Sequence, residues 1–384
     1  MVILNAYIYP VESAPVENGY LRFDKTILEM GTMEQYLPRE GEEVFDAQGG
    51  WVLPGLVDIH THLGLLGDGV GFEAEDCNEE TDPVTPQIRV IDGINPMDRT
   101  FRETLEAGVT TVIVSPGSAN PIAGQAAAIR TDGRRIDDMI ISAPAAMKFA
   151  LGENPKTCYS EREETPVTRM ATAALIRENL YKAQEYLRKK EQAESDEDVD
   201  APDFDMKLEA LIPVLKGEIQ AHFHAHRLDD IFTAIRISKE FSLDYVIIHG
   251  TEGHLAPDIL AAEGARVVTG PSLLDRCKPE LRNLSCEAIS TLTREGVSCS
   301  ICTDHPETPL KYLTLCAAMA MKSGLTKAQA INAITLEPAK IAGLSDRVGS
   351  LKEGKWADIL VTDGDPLEIG TTVKAVFSQG RKCV

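Results

Sequence analysis

The chain carries two kinds of hydrophobic patterning, and their order predicts the architecture. Between residues 54 and 346, short apolar runs rich in Val and Ile recur: VTTVIVS, DMIISAPAAMKFA, GEIQAHFHAH, LDYVIIHG, ARVVTG and VSCSICTD. Their length and β-branched content suit buried strands. Separating several of them are stretches with helical periodicity: PMDRTFRETLEAG, Thr168 to Glu191, DDIFTAIRISKEF, and Pro309 to Ser323. Alternation of strand and helix predicts an α/β fold with a mostly parallel sheet, and a (β/α)₈ TIM barrel has the right size. A doubly wound open sheet is the structural alternative. No GxGxxG follows a strand, which favours the barrel.

The two ends read differently. Residues 1–53 contain VILNAYIY, GYLRFDKTILEMG and EEVFDAQGGWVLPG, and residues 347–384 contain WADILVTDG and VKAVFSQGR, all short strands broken by turns. Neither end is long enough for a comfortable core, so both are expected to pack into one small composite β-sandwich.

The eight histidines sharpen this picture, because all of them fall beside the ends of apolar runs. They are His60 and His62; His222, His224 and His226; His249 and His254; and His305, directly after Asp304. Barrel enzymes place their chemistry at the C-terminal ends of the strands, and neutral imidazole is a common ligand for zinc and related metals. Strand alternation puts residues 60 and 62 on one face, about 6.5–7 Å apart, within reach of one ion. Three successive ligands at 222, 224 and 226 would span too far for one compact site, so one is expected to ligate and another to orient substrate or a ligand. His249 suits a single inward ligand. Asp304 suits a general base beside metal-activated water. Lys148, in an otherwise apolar segment, either pairs with a nearby carboxylate or has a lowered pKa and reacts with CO₂ to form a carbamate.

Composition excludes some classes. A net charge of −22 argues against nucleic acid as a partner. Part of the excess is local: eight of the fifteen residues from 191 to 205 are acidic, as in a solvated loop. No stretch approaches the apolar length needed to span a bilayer, and the N-terminus does not read as a signal peptide. The eight cysteines form no secreted-type framework, and Cys299 and Cys302 lie three apart in a strand, facing opposite ways. Reduced thiols and a cytoplasmic location are expected.

The motifs LPGLVDIHTHLG at 53–64, His224, His249, TDHP at 303–306 and GSLKEGKWADILV at 349–361 resemble the amidohydrolase superfamily of metal-dependent hydrolases. AAMKFALGENPK, HAHRLDDI and HGTEGH look like the subgroup of imidazolonepropionases and aryldialkyl- or dipeptide-type amidohydrolases. The resemblance implies two divalent ions, zinc first with Mn, Fe or Co as alternatives. His60 and His62 would bind the first ion, His224 and His249 the second, and Lys148 would bridge them as a carbamate. Glu153 is the alternative bridging carboxylate. Asp304 would touch the first ion and act as proton shuttle for a metal-bridged hydroxide attacking an amide, cyclic amide or dipeptide-like C–N bond. His226, Arg227, His254 and His305 sit beside these ligands as substrate contacts or supports.

Two further expectations concern loops. GSANPIAGQ (117–125) presents Asn120 and Gln125 as substrate contacts or as plain loop structure, and residues 64–86 form an insertion suited to covering the site. The rival functions are a mononuclear deaminase or imidazolonepropionase-like hydrolase, and a catalytically silent scaffold. A small-molecule substrate is expected, and a homo-oligomer is compatible with the fold.

Overall fold

The computed structural model describes residues 1–67 and 71–384. Residues 68–70, inside the predicted insertion, lie outside the described residues. Among the described residues, sixteen strands follow in chain order. β1 (Val2–Ile8), β2 (Val16–Phe23), β3 (Ile27–Thr32), β4 (Val44–Asp46) and β5 (Trp51–Pro54) occupy the N-terminal end. The middle holds β6 (Leu56–Thr61), β7 (Val109–Val114), β8 (Ile122–Arg130), β9 (Ile140–Ala150), β10 (Gln220–Ala225), β11 (Tyr245–His249), β12 (Arg266–Thr269) and β13 (Ser298–Ile301). β14 (Ile359–Thr362), β15 (Val373–Ser378) and β16 (Arg381–Lys382) complete the chain.

The middle strands form one eight-stranded sheet in the order β13-β12-β11-β10-β9-β8-β7-β6. The sheet nearly closes on itself. Backbone at residues 333–334 stands between its two edges: Ile301 N–H donates to Ala333 O at 3.0 Å, and Val57 N–H to Ile334 O at 2.9 Å. An apolar layer fills the interior beneath the upper strand ends, including Val57, Ile113, Ala128, Ala146, Val246 and Val268. Outside pack the helices, among them Arg99–Glu106, Arg169–Ser195, Leu228–Phe241 and Leu313–Lys322, which match the four predicted from periodicity.

The sheet departs from uniform strand–helix alternation at β8. This strand pairs antiparallel with both β7 and β9, and no helix joins β7 to β8. The sequence around it reads as a Gly- and Pro-containing loop because its interior is mostly alanine, IAGQAAAI, which lacks a strong β signal. Burial between two neighbouring strands supplies what propensity does not.

The strands of both chain ends form the second sheet, in the order β16-β15-β14-β5-β1-β2-β3, with β4 also beside β1. Alternation along β5 and β14 divides its faces. Val52, Ile359 and Val361 enter the sheet's own core with Ile3, Leu21 and Phe377, whereas Leu53 and Leu360 join the core of the middle sheet and its helices. The chain passes from one sheet to the other through Gly55, where a Cβ would stand 2.1 Å from Thr110 Oγ1, so the crossing needs a residue without a side chain.

Candidate metal centre

Two clusters of metal-ligating side chains meet at the C-terminal ends of the middle strands. The first joins His60 at the end of β6, His62 just beyond it, and Asp304 after β13. Asp304 Oδ1 lies 3.1 Å from His60 Nε2 and 3.3 Å from His62 Nε2. The second joins His224 on β10, His226 just past it, and His249 at the end of β11, with all ligand atoms within 4.8 Å of one another. The His60 and His249 rings connect the clusters, their centroids 5.1 Å apart. His249 and Asp304 both have positive φ, 74° and 52°, an uncommon backbone state for residues with side chains that concentrates at functional sites.

Hydrogen bonds fix which ring nitrogens face inward. His62 Nδ1 lies 2.8 Å from Ser115 O, and His249 Nδ1 lies 2.6 Å from Gly270 O. A carbonyl only accepts, so each Nδ1 carries a proton, and in the neutral ring Nε2 presents a lone pair. His226 Nδ1 is held 2.7 Å from Thr251 Oγ1.

Buried His224 Nε2 has no hydrogen-bond partner among the described residues, while Asp304 Oδ1 faces the two imidazole nitrogens of the first cluster. An unpaired buried acceptor is costly, and a cation between the imidazoles and the carboxylate would satisfy both kinds of group. The donor set, imidazoles with a carboxylate, suits a divalent transition metal.

Electrostatics keep most of these groups ready to ligate. Burial holds His60, His224 and His226 well below the ordinary histidine range and pulls His249 down to about 4. His62 differs. Burial pulls it down, but Cys77 and Asp304 outweigh that effect and push it up to about 10. Burial works against the charge on Asp304, yet its histidine neighbours hold its carboxyl well below the usual range.

Lys148, on β9, is fully buried with Nζ 3.5 Å from His60 Nε2. Burial lowers its pKa to about 8. Among the described residues, no carboxylate lies within ion-pair distance of it. The Glu153 carboxylate lies elsewhere, accepting from Glu280 N–H at 3.3 Å while its own N–H donates to Glu280 Oε2 at 3.0 Å.

Both clusters open into a cavity of about 380 Å³, within the range of small-molecule sites. One wall is polar, with Asn78, Ser118, Asn154 and Lys278; another is apolar, with Leu274 and Leu281. Cys77 and Asn78 come from the insertion after β6, which does reach the cavity.

Other candidate residues are held elsewhere. Asn120 is buried, and its polar atoms are taken by Glu79 O, Thr85 Oγ1 and Tyr159 OH. Gln125 donates to Pro86 O at 3.2 Å. Arg227 pairs with Asp229 at 2.7 Å, and His254 Nδ1 lies 2.9 Å from Thr251 O. His305 supports His62 through its backbone, its carbonyl accepting from His62 N–H at 3.0 Å. His222 lies a strand layer below His224, beside Gln220 Oε1 at 3.3 Å.

Three residues escaped the reading of the sequence. Asp58 stands two positions before His60 and is detectable in hindsight, since a buried carboxylate in an apolar strand needs partners. Glu280 and Lys278 sit in the loop after β12 in KPELRNL, a segment that looks like any solvated turn.

Comparison with known proteins agrees with this arrangement. Residues 51–383 match the model of the amidohydrolase family. The amidohydrolase tasK of Hapsidospora irregularis is 30% identical over 88% of this chain, which spans only 37% of that protein's length. An imidazolonepropionase of Methylobacterium sp. (strain 4-46) is 27% identical over 92% of this chain and 90% of its own length. The crystal structure of an amidohydrolase from Thermotoga maritima MSB8 superposes with a TM-score of 0.96 at 40% identity, covering 100% of this chain and 99% of that one. With residues 51–383 matched by the family model and two histidine-rich clusters at the strand ends, the chain belongs to the amidohydrolase family, hydrolases that act on carbon–nitrogen bonds.

Proposed function

We propose that this protein is a binuclear metal-dependent hydrolase that opens an amide, cyclic amide or dipeptide-like C–N bond. The observation that carries this reading is the meeting of two separate ligand clusters over one buried lysine. His60, His62 and Asp304 would hold the first ion, His224 and His249 the second, with Lys148 between them as a carbamate. Zinc suits the imidazole-rich donors, and Mn, Fe or Co are alternatives. When bound, such ions supply Lewis-acid polarisation of a carbonyl and lower the pKa of coordinated water towards neutrality.

The protein's own groups do the rest. The carbonyl oxygens of Ser115 and Gly270 orient His62 and His249. Asp304, beside both first-cluster histidines, accepts a proton from the attacking water and returns it to the leaving nitrogen. The low pKa of Lys148 leaves a fraction of free amine near neutral pH, the form that captures CO₂. The apolar wall limits bulk water, and the polar wall offers hydrogen bonds to a small substrate.

We further read the middle sheet as a (β/α)₈ TIM barrel with one reversed strand, spanning residues 54–346. Residues 1–53 and 347–384 form the small composite β-sandwich. Eight unpaired cysteines support a cytoplasmic location. No helix among the described residues is long and apolar enough to cross a membrane.

Likeness to an imidazolonepropionase favours a second reading, a mononuclear hydrolase acting on an imidazolone-type ring. Elemental analysis of protein desalted without chelator separates the two. About two ions per chain supports the binuclear reading and directs screening to amides and dipeptides. About one ion, with Lys148 unmodified, removes it in favour of the mononuclear enzyme.

A further inference from the structure

Glu280 is a buried acid without an assigned task. Only 2% of it is exposed, and it sits in the 3₁₀ turn Pro279–Leu281, in the long loop that follows β12. Burying a carboxylate is expensive unless strong partners compensate. Its two oxygens have different surroundings. Oε2 accepts the Glu153 N–H at 3.0 Å, a bond that docks the loop on the helix Glu153–Ser160. Oε1 faces the second histidine cluster, 3.6 Å from His226 Nε2 and 3.8 Å from His224 Nε2, and is ion-paired on its other side with Lys278. Lys278 Nζ stands 2.8 Å from Oε1 as its cationic neighbour, while donating to Asn154 Oδ1 at 3.0 Å.

These separations have a simple meaning. With metal–ligand bonds of about 2.0–2.1 Å, adjacent donors in a tetrahedral zinc site lie roughly 3.3 Å apart. Oε1 stands 3.6 and 3.8 Å from the two Nε2 atoms, a few tenths of an ångström beyond that spacing, and the ligand atoms of His224, His226 and His249 lie within 4.8 Å of one another. His224 Nε2 is itself buried and unpartnered. The Nδ1 of His226 is occupied by Thr251, leaving its Nε2 as the nitrogen turned to Glu280.

We propose that Glu280 and His226 are ligands of the second metal ion, completing a set with His224 and His249. This rests on the reading of the protein as a metal-dependent hydrolase. The second site is then closed by a carboxylate delivered from the β12 loop, which also carries part of the cavity wall, so binding of that ion and seating of the loop are coupled. Lys278 is the cation that faces Glu280 when the ion is absent, and the ion displaces it.

The test is titration of chelator-stripped protein with Co²⁺, following binding calorimetrically and through the visible spectrum, which reports ligand identity and geometry. Glu280→Gln should weaken the second ion at least about 10-fold, change its spectrum and leave the first ion unaltered. Glu280→Asp, which keeps the charge, should restore part of the affinity. Lys278→Met removes a competing cation and should bind the second ion at least as tightly as wild type. Unchanged binding and spectrum in Glu280→Gln overturn the proposal. So does equal weakening in Lys278→Met, since that marks Glu280 as a mere structural partner of the lysine. If wild type binds one ion that survives His60→Asn and is weakened by Glu280→Gln, the binuclear reading fails and the Glu280 assignment stands. If that single ion survives His224→Asn and is lost in His60→Asn, both fail.

Discussion

The Asp58 carboxylate is bonded twice to Thr303: one oxygen accepts the Thr303 N–H at 2.8 Å and its hydroxyl at 2.7 Å. The other oxygen accepts the His60 N–H at 3.0 Å. One buried side chain therefore ties the strand that carries His60 to the segment that delivers Asp304, across the gap between the edges of the middle sheet. Asp58→Asn keeps the shape but turns an amide N–H₂ towards a donor. It should cost about 1–3 kcal/mol in urea unfolding and lower metal content together with stability. Wild-type stability and metal content would remove the tie from the account.

Asp304 should behave differently. Asp304→Asn retains size and leaves the Asp58–Thr303 bonds intact, but it removes the group assigned to proton transfer. Turnover on any substrate found by screening should nearly vanish, while the circular dichroism spectrum and the urea midpoint stay close to wild type. Activity within a few-fold of wild type would deny Asp304 the proton-transfer role.

Lys148 has no carboxylate partner among the described residues and a pKa lowered by burial to about 8. Lys148→Ala should reduce metal content from about two ions per chain. Wild-type protein loaded with metal in isotopically labelled bicarbonate should show a carbamate carbon resonance that the variant lacks. A wild-type spectrum without that resonance would leave Lys148 as a structural lysine.

Asn120 joins the insertion after β6 to the helix Glu153–Ser160 through Glu79, Thr85 and Tyr159. Asn120→Ala strands the buried Tyr159 hydroxyl and the Glu79 carbonyl, while Thr85 Oγ1 keeps its bonds to the Ile122 and Ala123 carbonyls. Stability should fall by about 1–3 kcal/mol, with faster proteolysis near residues 79–85 and unchanged metal content. Loss of metal without loss of stability would instead mark Asn120 as part of the site.

Asp358 gives a pH signature far from the metal clusters. Burial raises its carboxyl to about 6, against which the Gln379 N–H bond at 2.7 Å is insufficient. Because the folded pKa is raised, the folded state retains a proton that the unfolded chain releases near pH 4. The destabilising contribution grows as pH rises from about 4 through 6 and is complete above that. Asp358→Asn should therefore gain stability relative to wild type across this window, on the order of 3 kcal/mol by neutral pH. A constant difference between the two proteins from pH 4 to 7 would refute the shift.

Local chemistry made much of this protein readable. Apolar runs of strand length, helical stretches of period 3.6 and histidines at run ends are local patterns, so the strands carrying His60, Lys148, His224 and His249 could be named, and Asp304 recognised after the last of them. The family-like motifs are local as well. Tertiary structure decided what depends on contacts between distant segments. The alanine-rich β8 becomes a reversed strand only because β7 and β9 flank it. Asn120 reads as a loop residue until Thr85 and Tyr159 surround it, and Glu280 looks solvated until the β12 loop folds over His224 and His226. A polar side chain acquires its role from the partners that replace water around it, and the fold supplies those partners from segments far apart in the chain.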